Sequence, residues 1–163
     1  MTQDNEIKVG ARPSFVADGM LGDVARWLRI MGYDTLYFGD MDDEQILTSS
    51  AERVLLTSDE QLYHRAIKQR IDAFLVSGGT LFEKLRKIVR QYRLSPAMCG
   101  SRCTSCNGVL VLASRGQINS SKEVLPPLVG EVWACSECGK LYWRGSHWKS
   151  IGKTLKELAE SST

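Results

Sequence analysis

Residues 14–38 read SFVADGMLGDVARWLRIMGYDTLYF, and the spacing of their apolar side chains decides the fold. Ser14 to Ala17 form a short β-prone run that stops at Asp18. Leu21, Val24, Ala25, Leu28 and Met31 then recur at i, i+3, i+4 and i+7, which lays one apolar stripe along a helix. Gly32 is a fitting stop, because glycine adopts the left-handed conformation that ends helices at no steric cost. Tyr33 to Phe38 opens a second strand-like run. Strand, helix, strand within so short a stretch predicts a right-handed crossover and parallel pairing.

The same rhythm continues outward. Arg53 to Thr57 and Asp72 to Ser77 read as third and fourth strands. Asp42 with Gln45, Ser58 with Gln61 and Thr80 with Glu83 have the three-residue spacing of helix-starting caps. The prediction is an α/β domain, a three-layer arrangement around a parallel sheet, over residues 1–95. Beyond it the composition changes. Residues 1–95 hold 13 Lys+Arg against 14 Asp+Glu and no Cys; residues 96–163 hold 8 against 5, all five Cys and three of the four Trp. A second, small module over 96–163 is expected. No apolar run approaches the roughly 20 residues that cross a bilayer, and the polar N-terminus is unlike a secretory leader, so no membrane partner and a cytoplasmic address are expected.

In an open parallel sheet, ligands bind beyond the carboxyl ends of the strands. Here those positions are acidic: Asp18 after the first strand, Asp40, Asp42 and Asp43 in FGDMDD after the second, and Asp59 in VLLTSD after the third. Converging carboxylates repel one another unless a cation sits among them, and hard divalent ions such as magnesium or manganese take carboxylate oxygens. One or two such ions can activate water for phosphodiester hydrolysis. Taken singly, each acid has a simpler job: Asp42 suits an N-cap, Asp59 a helix dipole, Asp18 a turn. Met20 breaks the DxD of dehalogenase-type phosphatases, and no glycine-rich phosphate loop is present.

A phosphodiester substrate also needs cations along its backbone. Arg26 and Arg29 lie three residues apart opposite the first helix's apolar stripe. LFEKLRKIVRQYR, residues 81–93, sets Lys84, Arg86, Lys87, Arg90 and Arg93 around a buried face of Leu81, Leu85, Ile88, Val89 and Tyr92. A solvated helix face is the competing reading.

Cys103-x-x-Cys106 and Cys135-x-x-Cys138, separated by 28 residues, have the spacing of two zinc knuckles. Strands at Val109 to Leu112, Glu131 to Ala134 and Lys140 to Trp143 would bring them together. Four thiolates leave no open position, so the zinc is structural. Cys99 is left over. In WRGSHW, Arg144, His147 and Trp148 mix rings and cations in a way that suits unpaired RNA, or packs against the first domain. The tail IGKTLKELAESS reads as a short amphipathic helix that frays.

The combination FVADGMLGDVARWLRIMGYDT, DDEQIL, RVLLTSDEQL, a double CxxC and YWRGSHW resembles the PIN-domain ribonucleases, in the branch named after the C-terminal RNase domain of the mutator-seven exonuclease. The resemblance implies a PIN-like fold with a zinc ribbon behind it, and metal-dependent cleavage of RNA; the leading expectation is an endoribonuclease acting on single-stranded or structured RNA with magnesium or manganese. It implies Asp18, Asp43 and Asp59 as the catalytic, metal-binding acids, with Asp40 and Asp42 rivals for the second role. RNA contacts are expected from the helical cations Arg26, Arg29, Lys84, Lys87 and Arg90 by their charge pattern, and from Arg144, His147 and Trp148 of WRGSHW, a motif that the resemblance places in the family pattern. Ser58 and Glu60 stand where this pattern carries a basic residue, and SGGT rather than an acid follows the fourth strand. A non-catalytic RNA- or ribosome-binding adapter is the alternative, and a protein partner is compatible with either.

Overall fold

The computed structural model describes residues 12–127 and 130–162. Four parallel strands, β1 (Phe15–Ala17), β2 (Thr35–Tyr37), β3 (Val54–Thr57) and β4 (Ala73–Leu75), form a sheet in the order β2-β1-β3-β4. They alternate with α1 (Gly22–Ile30), α2 (Asp43–Ser49) and α3 (Glu60–Lys68), and α4 (Leu81–Gln91) follows β4.

Because side chains alternate across a strand, consecutive residues of β1 and β3 feed two different cores. Phe15, Ala17, Val54 and Leu56 join Val24, Leu28, Leu85 and Ile88 under α1 and α4. Val16 and Leu55 join Ile46, Leu47, Leu62 and Ala66 under α2 and α3. The central strands are therefore covered on both faces and consist almost wholly of apolar residues, as buried parallel strands do. Gly32 takes φ +83 directly after α1, as its place in the sequence requires.

Two expected caps form: Asp42 accepts from the Gln45 amide, and Thr80 with Glu83 completes a reciprocal capping box. The third is displaced by one residue. Ser58 Oγ donates to the Val76 carbonyl, and Asp59 instead caps α3 by accepting from the amides of Gln61 and Leu62. A carboxylate at the positive end of a helix outcompetes a hydroxyl already engaged with the neighbouring strand.

The second sheet is antiparallel, β5 (Leu110–Leu112), β6 (Val132–Cys135) and β7 (Leu141–Trp143) in that order, around a small core of Val132, Ala134 and Leu141. A short helix, α5 (Arg115–Ser120), starts on a Ser114–Gln117 capping box that the sequence reading passed over. The tail is not a frayed appendage. It is α6 (Ser146–Ser161), whose Leu155 and Leu158 are buried in the core beneath α1 and α4. Among the described residues no helix is long and apolar enough to cross a membrane.

Candidate active site

The strand order reverses between β1 and β3, and at such a switch point the flanking loops diverge and leave a crevice beyond the carboxyl ends. Asp18 stands there and is only 5% exposed. Its Oδ1 accepts the Met20 amide at 3.0 Å; its Oδ2 accepts the Ser58 amide at 3.1 Å and the hydroxyl of Thr57, which is fully buried at the end of β3. The Thr57 oxygen in turn accepts the Asp59 amide at 3.0 Å. The ends of the two strands are thus tied together through one carboxylate that makes no salt bridge among the described residues. Thr57 was not singled out in the sequence, although its position as the last hydroxyl in VLLTSD is the signal that marks it.

The β1–α1 loop is also pressed against the β2–α2 loop. A Cβ on Gly19 would lie 2.6 Å from the Gly39 carbonyl oxygen, and the Tyr37 hydroxyl donates to the Gly19 carbonyl at 3.0 Å. That contact brings the segment bearing Asp40 alongside Asp18. Asp40, Asp42 and Asp59 are exposed. Asp59 and Asp42 each spend Oδ1 on their helix caps. Asp43 is ion-paired with Arg65 of α3 at 2.6 Å, and the other arm of Arg65 reaches Glu44 at 2.7 Å. No three carboxylates among the described residues bring oxygens within 4.8 Å of one another. Asp18, Asp40 and Asp59 thus follow the ends of the adjacent strands β1, β2 and β3, and Asp42 and Asp43 lie at the start of α2.

The four cysteines do converge. Cys103 and Cys138 sulfurs are 3.7 Å apart and Cys106 and Cys135 sulfurs 3.4 Å, and all four lie within 4.8 Å. A tetrahedral zinc with bonds of about 2.3 Å has sulfur–sulfur edges of about 3.8 Å, so the donor set fits that ion. Amides of Cys106 and Cys138 face the sulfurs of Cys103 and Cys135 at 3.5 Å, the geometry expected of knuckles. Burial raises the Cys103 thiol's pKa, but the Tyr142 hydroxyl 3.0 Å away and the knuckle amides outweigh it and bring it down to about 6.

The first knuckle is docked on the α/β sheet. Arg29 is buried, and donates to the Thr35 carbonyl at 2.9 Å and to the Thr104 and Ser105 carbonyls at 3.1 Å. Burial lowers its pKa, opposed by the nearby Cys103 and Cys106. Asn107, in the left-handed conformation at φ 71, accepts the Thr35 amide at 2.9 Å and donates to Asp34 at 2.7 Å. Asp34 also holds Arg53 through two bonds of 2.9 and 3.0 Å. Arg29 is thus corrected from an RNA contact to a clamp: the first knuckle covers it, whereas Arg26, nearly one turn earlier on the same side of α1, is exposed. An asparagine directly after CxxC is a turn signal, but nothing in the order of residues says that the turn meets β2.

On α4, Arg90 is exposed, Lys84 half-buried, and Lys87 exposed with its ammonium on the Ser77 carbonyl at 2.9 Å. Arg144 follows β7, His147 and Trp148 lie in the first turn of α6, and all three line a cleft that Arg26 of α1 also lines.

A family model described as the Mut7-C RNAse domain matches residues 13–155, from just before β1 into the second half of α6. The chain belongs to the Mut7-C RNAse domain family. No curated protein and no solved structure matches it. The match takes in both sheets, so this Mut7-C RNAse domain comprises the Asp18 edge and the cysteine cluster together. Membership gives it a ribonuclease-type role with RNA as the substrate class, and the four-cysteine group can hold a metal such as zinc.

Proposed function

We propose that this Mut7-C RNAse domain is a metal-dependent endoribonuclease with a PIN-like fold, hydrolysing RNA phosphodiester bonds at the carboxyl edge of the parallel sheet. The observation that carries the reading is Asp18: a buried carboxylate at the switch point, oriented by three donors yet lacking a counter-charge among the described residues. Burying an unpaired charge is costly unless a cation compensates it. Asp18 and Asp59, with Asp43 or its rivals Asp40 and Asp42, would hold magnesium or manganese. When bound, the ion activates water and offsets charge developing on the phosphate.

The protein's own part is positioning. Thr57 and the Ser58 amide fix the direction of Asp18, and Asp59 keeps Oδ2 clear of its cap bonds. Asp43 turns inward by leaving Arg65 to Glu44, which already shares it. Arg26, Lys84, Lys87 and Arg90 from the nuclease part, and Arg144, His147 and Trp148 from the ribbon, hold the RNA. The zinc of Cys103, Cys106, Cys135 and Cys138 is structural. In this reading residues 1–95 are the nuclease part and 96–163 the ribbon part, with α6 of the second returning to pack in the core of the first, and the free thiols suit the reducing cytoplasm.

The test is cleavage of linear and circular single-stranded RNA with manganese. Cleavage of the circle establishes internal cutting. Full activity in an Asp18→Asn, Asp59→Asn double variant overturns the proposal.

The second reading, a non-catalytic RNA-binding adapter, is favoured by the secondary duties of the acids: Asp42 and Asp59 cap helices and Asp43 pairs with Arg65. Isothermal titration separates the two, since the adapter retains zinc but binds neither magnesium nor manganese at the sheet edge.

A further inference from the structure

A cleft of about 430 Å³ lies between α1 and the ribbon, away from the acidic edge. This is within the roughly 300–1,000 Å³ range of small-ligand sites. Its walls are aromatic opposite α1, where Trp133, Trp143 and Trp148 line it together with Arg144. The Arg144 guanidinium sits 5.9 Å from the Trp133 ring centre and 5.3 Å from that of Trp148. Aromatic faces hold this cation in place without a carboxylate, and among the described residues it makes no hydrogen bond or ion pair. Its donors are therefore unspent. Arg26 faces it from α1 and is likewise exposed and unpaired among the described residues.

Two further features favour an anion with a flat, apolar body. α6, 16 residues long, begins at this cleft, with its N-cap Gly145 and its first-turn residues His147 and Trp148 among the walls, so its positive end borders the cleft. Among the described residues Glu123 is the single acid on the walls, against Arg26, Arg102, Lys140 and Arg144. Arg102 and Lys140 are engaged with Asn107 and Ser105, leaving Arg26 and Arg144 as the free cations.

We infer that this cleft is a second RNA subsite that takes one unpaired nucleotide, its base against the ring of Trp148 and its phosphate between Arg26 and Arg144. This rests on the proposal that RNA is the substrate. The geometry relates the two places: the Asp18–Leu21 turn leads directly into α1, and Arg26 lies about 6 Å along that helix, one turn from its start. One single strand lying along α1 would meet both the cleft and the acidic edge. A duplex would not, because its bases are stacked on each other and have no free face to offer a ring. The subsite therefore selects single-stranded segments.

The test uses the full zinc-loaded chain and fluorescence anisotropy with a fluorescein-labelled oligoadenylate, without magnesium or manganese. Failure of the catalytic proposal then leaves this reading untouched, and the reverse also holds. Replacing Arg26→Gln and Arg144→Gln together is expected to weaken binding tenfold or more and to flatten its dependence on log salt by about one to two units, one per phosphate-facing cation. Trp148→Ala is expected to weaken binding by roughly 5- to 100-fold, as loss of one stacked base does, with Trp148→Phe recovering most of it. Zinc content and circular dichroism verify each variant's fold, and the arginine pair decides the matter if Trp148→Ala does not fold. Unchanged affinity in the arginine pair, or equal affinity for a duplex of the same length, overturns the inference. Competition by free adenylate as effective as by the oligomer also overturns it, and makes the cleft a mononucleotide site.

Discussion

Arg29→Met tests how firmly the ribbon is wired to the nuclease sheet. The side chain is 6% exposed and supplies three bonds to backbone carbonyls, one on β2 and two on the first zinc knuckle. Hydrogen bonds from a charged donor contribute about 1.5–3 kcal/mol each, so the gross loss is roughly 5–9 kcal/mol. Against that stands the relief of desolvating a guanidinium, an effect already visible in its lowered pKa. Three backbone carbonyls lose their donor at about 1–3 kcal/mol each, and with that relief set against them the net cost is about 3–5 kcal/mol. With a urea slope near 2 kcal/mol per molar, the unfolding midpoint should fall by roughly 1.5–2.5 M. Arg29→Lys should recover less than half, because an ammonium cannot face β2 and the knuckle at once as a planar fork does. Urea titration by tryptophan fluorescence, with zinc release followed by a chromogenic chelator, reads both effects. A midpoint shift worth less than about 0.5 kcal/mol is the scale of a surface change, and it would refute the clamp.

Thr57→Val removes the donor that orients Asp18 and the acceptor of the Asp59 amide; it should cost about 1–3 kcal/mol in thermal unfolding and lower manganese-dependent cleavage, while Thr57→Ser preserves both. Asp34 is held below the usual carboxylate range, first by its bonds to Arg53 and then by Asn107. Since its folded pKa is depressed, its contribution is full above the ordinary value of about 3.9 and is lost as pH falls through the lower folded value. The stability gap between wild type and Asp34→Asn should thus be level at neutral pH and close below about pH 4 in urea titrations. Removing zinc should unfold the ribbon and release Asn107 from β2, so hydrogen exchange at the Thr35 amide should speed up; unchanged protection there refutes the coupling.

Much of the α/β part was legible because local and global signals agree in it. The stripe from Leu21 to Met31, the stop at Gly32 and the Thr80–Glu83 box each specify one conformation, and the four apolar runs each contain a strand. The paired CxxC spacing likewise announced the thiol cluster, since knuckle geometry is local. What escaped was long-range. Arg29 and Arg26 are equivalent on a helical wheel, and only the arrival of Thr104 and Ser105, some 75 residues later, separates them. Asp43 followed a strand as well as Asp18 does, yet its partner Arg65 comes from the neighbouring helix. The tail's apolar positions were visible, but their destination beneath α1 and α4 was set by where the second sheet ends.

That destination has a consequence for how the protein is made. Leu155 and Leu158 belong to the same core as Leu85, Ile88, Val89 and Leu94, yet Leu158 is synthesised 64 residues after Leu94. At roughly 5–20 residues per second, a nascent chain carries the acids of the sheet edge for about 3–13 s, counted from Leu94, before the last layer of that core emerges. Under the proposed ribonuclease activity, this order gives a chain born next to its own messenger a built-in delay. A chain stopped after Gly145 should accordingly show an uncovered apolar face by dye binding, and should gain cleavage activity only when the α6 peptide is supplied in trans.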